Sequence, residues 1–160
     1  DQEEALSISD RVALMNDGRI EQTGSPRDIY LRPANSFVAD FVGVNNLLEG
    51  EYLGEGQFRW KGKILSVEKA LLPKGPCSLM IRPERISLSS PADSSADASN
   101  TFAGRVSGKV FLGPLVRLAV DVEGEQILVD LLNTEIEPPA LDDPVWLRFS
   151  TDDGRPLAGR

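Results

Sequence analysis

The stretch FAGRVSGKVFLGPLVRLAVDVEGEQILVDLLN, residues 102–133, decides the fold. It is rich in Val, Leu and Phe, which favour a pleated surface, and it is interrupted only by turn residues. Glu123-Gly124-Glu125 reads as a hairpin turn between strands at Leu118–Val122 and Gln126–Leu131. Gly113-Pro114 reads as a turn or bulge. Working outward, NLLEGEYLGEG (46–56), QFRWKGKILSV (57–67), CSLMIRPERISLS (77–89) and PVWLRFS (144–150) have the same character. Several short strands in this span predict a small barrel or sandwich. The small, polar SSPADSSADASN, residues 89–100, reads as a mobile surface loop.

The first 45 residues are written differently. In SDRVALMNDGRIEQTGSP, residues 9–26, the run Val12-Ala13-Leu14-Met15 predicts a strand buried on both faces. Asp17-Gly18 suits a type I′ turn, with Arg19–Thr23 as the returning strand. Ser25-Pro26 is a helix start, Asp28 complements the helix dipole, and Arg32-Pro33 is a stop. Asn35 or Ser36 caps a second helix carrying Phe37, Val38, Phe41 and Val42 on one face, ended by Gly43. Tyr30, Phe37 and Phe41 read as packing residues. The fold class is therefore α+β, mainly β: a hairpin-and-helix unit over 1–45 and an OB-like β module over 46–160.

Composition removes most enzyme classes. The chain has 160 residues, one cysteine (Cys77) and no histidine. No Ser/Cys–His pair and no ordinary transition-metal site can be built from it. The lone thiol excludes an internal disulfide and fits a reducing compartment. No apolar run approaches the roughly 20 residues that cross a bilayer, and no secretory signal pattern is evident. With a net charge of -8, nucleic acid is a poor partner. Trp60, between Arg59 and Lys61, reads as a core or interface residue in preference to a base-stacking one.

One local exception is basic. Between Asp97 and Asp121 there is no acid, while Arg105, Lys109 and Arg117 lie there. A regulatory anion site using Arg82, Lys109 and Arg117 is one reading; a solvated strand face is the other. Pro83 makes Arg82-Pro83-Glu84 a strand end or bend, with a local Arg82–Glu84 ion pair.

The residues DQEEALSISDRVALMNDGRIEQTGSPRDIYLRPANSFVADFVGVNNLLEG resemble the end of the nucleotide-binding domain of ATP-binding cassette (ABC) import ATPases. IRPERISL and VFLGPLVRLAVDVEGEQILVDL resemble the TOBE domain that follows it in the same subunits. The resemblance implies that Asp1 would follow directly after the family's switch histidine, and that Glu3 and Glu4 form a solvated helix start. The chain has no G-x-x-x-x-G-K-[ST] phosphate loop, no apolar strand ending in Asp-Glu, and no signature loop. The implied role is a regulatory and dimerisation region of an importer's ATP-binding subunit, without enzyme activity or cofactor of its own. ATP and magnesium belong to the parent subunit, which hydrolyses the nucleotide.

Implied partners are a second copy of the chain, through strands of residues 102–132 and especially Phe111, Leu112 and Gly113, the membrane permease, and a small-molecule or protein regulator. The implied place is the cytoplasmic face of the membrane. The implied solutes are ferric iron, polyamine, sulfate, thiamine or sugar. Two other readings stay open: a free-standing oxyanion-binding β module, and an OB-type oligonucleotide binder. Without the upstream domain, Val12, Leu14 and Met15 need cover from the following helix, the β module or a second chain.

Overall fold

The computed structural model describes residues 2–89, 100–134 and 136–158. Helix α1 (Gln2–Ile8) precedes a hairpin, β1 (Val12–Asn16) and β2 (Arg19–Gly24), then α2 (Pro26–Leu31) and α3 (Ser36–Val42). The hairpin turns through Asp17 and Gly18, both at positive φ, as a type I′ turn requires. Ser25 accepts from the Asp28 amide and caps α2, with Pro26 at its first position. Asn35, not Ser36, caps α3 by accepting from the Val38 amide.

These pieces close over a small core of Leu14, Ile29, Val38 and Val42, with Tyr30 and Phe37 partly buried against it. The hairpin also pins the link between the helices. Glu21 accepts from Asn35 at 2.9 Å, and the Gln22 amide bonds the Arg32 carbonyl and the Ala34 N–H. The expectation that Val12–Met15 is buried on both faces is corrected. Only Leu14 is fully buried, while Met15 is 58% exposed beside its exposed cross-strand neighbour Ile20. The helices cover one face of the ladder, and the register shifts at a bulge between Leu14 and Met15. Phe41, expected to pack, is also exposed, because Val38, Ala39 and Val42 take the inner face of α3.

The remaining strands are β3 (Asn46–Gly54), β4 (Gln57–Trp60), β5 (Lys63–Ser66), β6 (Gly75–Ile81), β7 (Ser87–Ser89), β8 (Thr101–Phe111), β9 (Leu115–Val122), β10 (Glu125–Leu132), β11 (Pro144–Arg148) and β12 (Gly154–Leu157). They form two antiparallel five-stranded sheets, ordered β10-β9-β8-β11-β7 and β12-β6-β3-β4-β5. Two-residue Xaa-Gly turns at Glu55-Gly56, Lys61-Gly62 and Glu123-Gly124 repeat the conformation of Asp17-Gly18. Lys61-Gly62 thus splits the single run read at 57–67 into two strands. Most of the 89–100 stretch, read as a loop, lies outside the described residues.

The inner faces share one core, including Phe58, Leu65, Leu79, Leu118, Val120, Val129 and Leu147, all essentially inaccessible. Trp60 is buried here and meets Phe102 edge-on at 5.3 Å. Two buried asparagines tie the sheets together at their margins. Asn46 accepts from the Leu128 N–H at 2.7 Å and donates to its carbonyl at 2.9 Å. Asn100 does the same for Ser66, at 2.9 and 2.6 Å. Each side-chain amide stands in for a peptide group, satisfying backbone atoms that a further strand would otherwise pair. The result is an OB-like pair of curled sheets. Among the described residues no helix is long and apolar enough to cross a membrane.

Candidate functional site

The best-organised polar cluster lies where α2 meets the β module. Ile29 points into the small helical core, and Tyr30, about 100° further round α2, packs at the edge of that core and reaches residues 82–84. Arg82 leaves the end of β6 and is only 3% exposed. Its guanidinium lies 3.9 Å from the centre of the Tyr30 ring. Nη2 donates to the Tyr30 carbonyl at 2.7 Å and Nη1 to the Val44 carbonyl at 3.4 Å. Gly43 allows this approach: a Cβ there would sit 3.0 Å from Nη1 and 3.1 Å from Tyr30 Cε2. Beside it Ala39, Met80 and Leu157 form an apolar contact between α3 and the second sheet.

Pro83 does mark a strand end, opening a 3-10 turn over Pro83–Arg85. The expected Arg82–Glu84 ion pair is corrected. Glu84 instead accepts from the Tyr30 hydroxyl at 2.8 Å, while Arg82 is turned inward to backbone carbonyls. Burial, and then the bond to Glu84, pushes the Tyr30 phenol above its ordinary pKa. Burial pulls the Arg82 guanidinium below its ordinary value.

Arg117 and Asp130 are cross-strand partners on β9 and β10. They make two parallel bonds of 2.7 Å, the fork geometry that guanidinium and carboxylate share. The Asp130 side chain is almost wholly buried, and its acceptance holds Arg117 charged above the ordinary pKa. Glu84 and Tyr30 also act electrostatically on Arg117. Arg82 and Arg117 therefore belong to one neighbourhood, each already engaged.

Lys109 stands apart. Its ladder partner is Leu118, whereas Arg117 pairs with Val110, so the two cations sit on opposite faces of β8–β9. Among the described residues Lys109 reaches the Pro138 and Pro139 carbonyls, at 3.4 and 3.5 Å. The three residues singled out for an anion thus do not converge. Sequence reasoning also missed the roles of Tyr30, Glu84 and Asp130. Asp130 carried a usable signal, an acid inside the apolar run Ile127–Leu132. Nothing local marked Tyr30.

Phe111, Leu112 and Gly113 form the solvent-exposed turn from β8 to β9, with Gly113 at positive φ. Asn133 ties this turn to the end of β10 by bonding Gly113 and Pro114 carbonyls. Leu132, 74% exposed, borders a groove of about 490 Å³ lined by Leu131, Ile136, Pro138, Pro139 and Pro144. Among the described residues no group of three or more His, Cys, Asp or Glu is arranged to hold a metal ion.

Residues 79–157 match the model of the TOBE domain family. The chain is 44% identical over 142 residues to the sulfate/thiosulfate import ATP-binding protein CysA 2 of Chromobacterium violaceum, covering 89% of this chain and 37% of that protein. It is 41% identical to the spermidine/putrescine import ATP-binding protein PotA of Trichodesmium erythraeum, covering 94% and 42%. With the Fe(3+) ions import ATP-binding protein FbpC of Brucella abortus it shares 36% identity, again covering 94% and 42%. The chain carries a TOBE match and is similar, over nearly its whole length, to part of the ATP-binding subunits of ABC importers.

It spans about two fifths of the length of these relatives. A crystal structure of the cytoplasmic molybdate-binding protein ModG, with molybdate bound, has a related fold. The TM-score is 0.58 at 12% identity, covering 71% of this chain and 95% of that one. The TOBE match takes in β6 through β12, while β3, β4 and β5 complete its second sheet. A TOBE domain is not a catalytic domain.

Proposed function

We propose that this chain is the regulatory and dimerisation region of an ABC importer's ATP-binding subunit. Residues 1–45 are the end of the nucleotide-binding domain and 46–160 the TOBE module. The observation that carries the reading is the Tyr30–Arg82–Glu84 joint, which fastens the helical unit to the β module through named bonds. A movement of the helices is thereby passed to the sheets, and a ligand or partner on the sheets biases the helices. Such control works when the effector prefers one state over the other.

The parent subunit hydrolyses ATP with magnesium and works on the cytoplasmic face of the membrane with permease subunits. Relatives named for sulfate/thiosulfate, spermidine/putrescine and ferric iron are similar at 44, 41 and 36%. That spread fits solute choice residing outside these residues. Self-association uses the exposed turn from β8 to β9, where Phe111 and Leu112 present apolar side chains to solvent.

The test of the non-catalytic assignment is ATP turnover by the purified chain, expected to be indistinguishable from buffer. Sustained hydrolysis that follows the protein through purification would contradict it. The fold likeness to ModG keeps a free-standing oxyanion module as the second reading. Against it, Arg117 is already bound to Asp130 and Arg82 to backbone carbonyls.

A further inference from the structure

The groove of about 490 Å³ opens between β7 and β10, the two edge strands of the first sheet. Leu88 from β7, Leu131 and Leu132 from β10, and Ile136, Pro138 and Pro139 from the β10–β11 connection form its apolar walls. We propose that this groove binds a small organic cation, a primary ammonium carrying an aryl or alkyl group. The inference does not depend on the importer assignment, and the groove shares no lining residue with the Tyr30–Arg82–Glu84 joint.

Its volume falls within the roughly 300–1,000 Å³ of small-molecule sites. Pro138, Pro139 and Pro144 fix φ along one wall, so little conformational freedom is lost when a ligand arrives. Two cations fasten the same connection through its backbone. Lys109 donates to the Pro138 and Pro139 carbonyls at 3.4 and 3.5 Å, and Arg105 donates to the Asp142 carbonyl. Neither cation lines the groove.

The polar groups of the walls select the sign of the ligand. Among the described residues the charged side chains lining the groove are Glu137 and Asp143, both acids. Glu137 makes no hydrogen bond or ion pair with another described residue. Asp143 Oδ2 accepts from the Ala140 amide at 2.8 Å, which leaves Oδ1 for a ligand. Backbone donors are scarce there. The three prolines have no N–H, the Ile136 N–H goes to the Thr134 hydroxyl at 3.3 Å, and the Ala140 N–H goes to Asp143. An anion would meet two carboxylates and few donors. A primary ammonium brings three donors to acceptors that need them.

The two features act together. The leucines and prolines remove the ligand's apolar body from water, which supplies the affinity. Glu137 and Asp143 are both exposed, so the ammonium can sit beside them and stay partly hydrated. No charge is stripped of water in the process, and the desolvation cost of a buried ion is avoided.

The test is titration of the whole chain with phenethylammonium chloride, followed in ¹H–¹³C methyl spectra. The controls are 2-phenylethanol and sodium 3-phenylpropanoate at matched ionic strength. The expected result is saturable binding with a Kd below about 1 mM, with the largest shifts at the Leu88, Leu131, Leu132 and Ile136 methyls. The alcohol should bind about fivefold more weakly or worse, and the carboxylate more weakly still. Glu137→Gln combined with Asp143→Asn, which keeps an acceptor for the Ala140 amide, should reduce the ammonium to the affinity of the alcohol. The alcohol itself should be unaffected by that pair, and Asp17→Asn, on the β1–β2 hairpin, should change neither ligand. Equal affinity for ammonium and alcohol, wild-type affinity in the double variant, or shifts confined to other parts of the chain would overturn the proposal. Groove methyls that follow protein concentration and ignore the ammonium would overturn it too, by showing that a second copy covers the groove.

Discussion

Tyr30 and Asn46 each do at one position what a whole element does elsewhere. The Tyr30 phenol closes a bond to Glu84 from a partly buried position. Tyr30→Phe removes that bond while keeping the ring under Arg82, and should lower stability by about 1 kcal/mol in chemical denaturation. The sign with pH follows from the raised phenol. Above the ordinary value near 10 the unfolded chain gives up its proton while the folded chain keeps it. Stability supplied by Tyr30 is therefore complete below pH 10 and declines as pH rises through the folded pKa. The phenylalanine variant should lose less stability over that alkaline range. Asn46→Ala strips two bonds from Leu128 and leaves its backbone groups unpaired. A loss of about 1–3 kcal/mol is expected, with faster amide exchange along β10.

At the scale of elements, β9 and β10 contain the one charge pair that is both bidentate and largely buried among the described residues. Asp130→Ala strands Arg117 and should cost about 3 kcal/mol or more, whereas Arg117→Met with Asp130→Leu should recover most of it. A double-mutant cycle read by thermal melts checks this. The same strands show what the sequence made legible. Xaa-Gly pairs set the hairpins because glycine tolerates positive φ, and Ser25 and Asn35 set the helix starts through local bonds. Both signals act within a few residues, so they can be read without the fold. Two other features depend on residues far apart in the chain, and a third on strand register. Tyr30 meets Glu84 across 54 positions, and Asn46 meets Leu128 across 82. The face on which Lys109 lies follows from ladder register, and its separation from Arg117 was hidden for the same reason. Strand β12 escaped notice because Gly154-Arg155-Pro156-Leu157 has neither alternation nor β-branching. It is held by pairing with β6 and by Phe149 packing close to Gly154.

For the whole molecule, the β module buries its inner faces but leaves apolar side chains exposed at the ends of β8 and β10. There Phe111 is 68% exposed and the groove beside Leu132 is apolar. The exposed hairpin face at Met15 and Ile20 lies on the separate helical unit. If the module joins two subunits, the exposed end of β8 and β9 is the surface that does it. Sedimentation equilibrium of the chain and of Phe111→Asp is the most direct measurement. The account predicts a concentration-dependent rise from 17.4 kDa toward twice that mass for the wild type. For the aspartate variant it predicts a monomer with unchanged circular dichroism. A wild-type chain that stays monomeric at every concentration, or a dimer indifferent to Phe111→Asp, would contradict it.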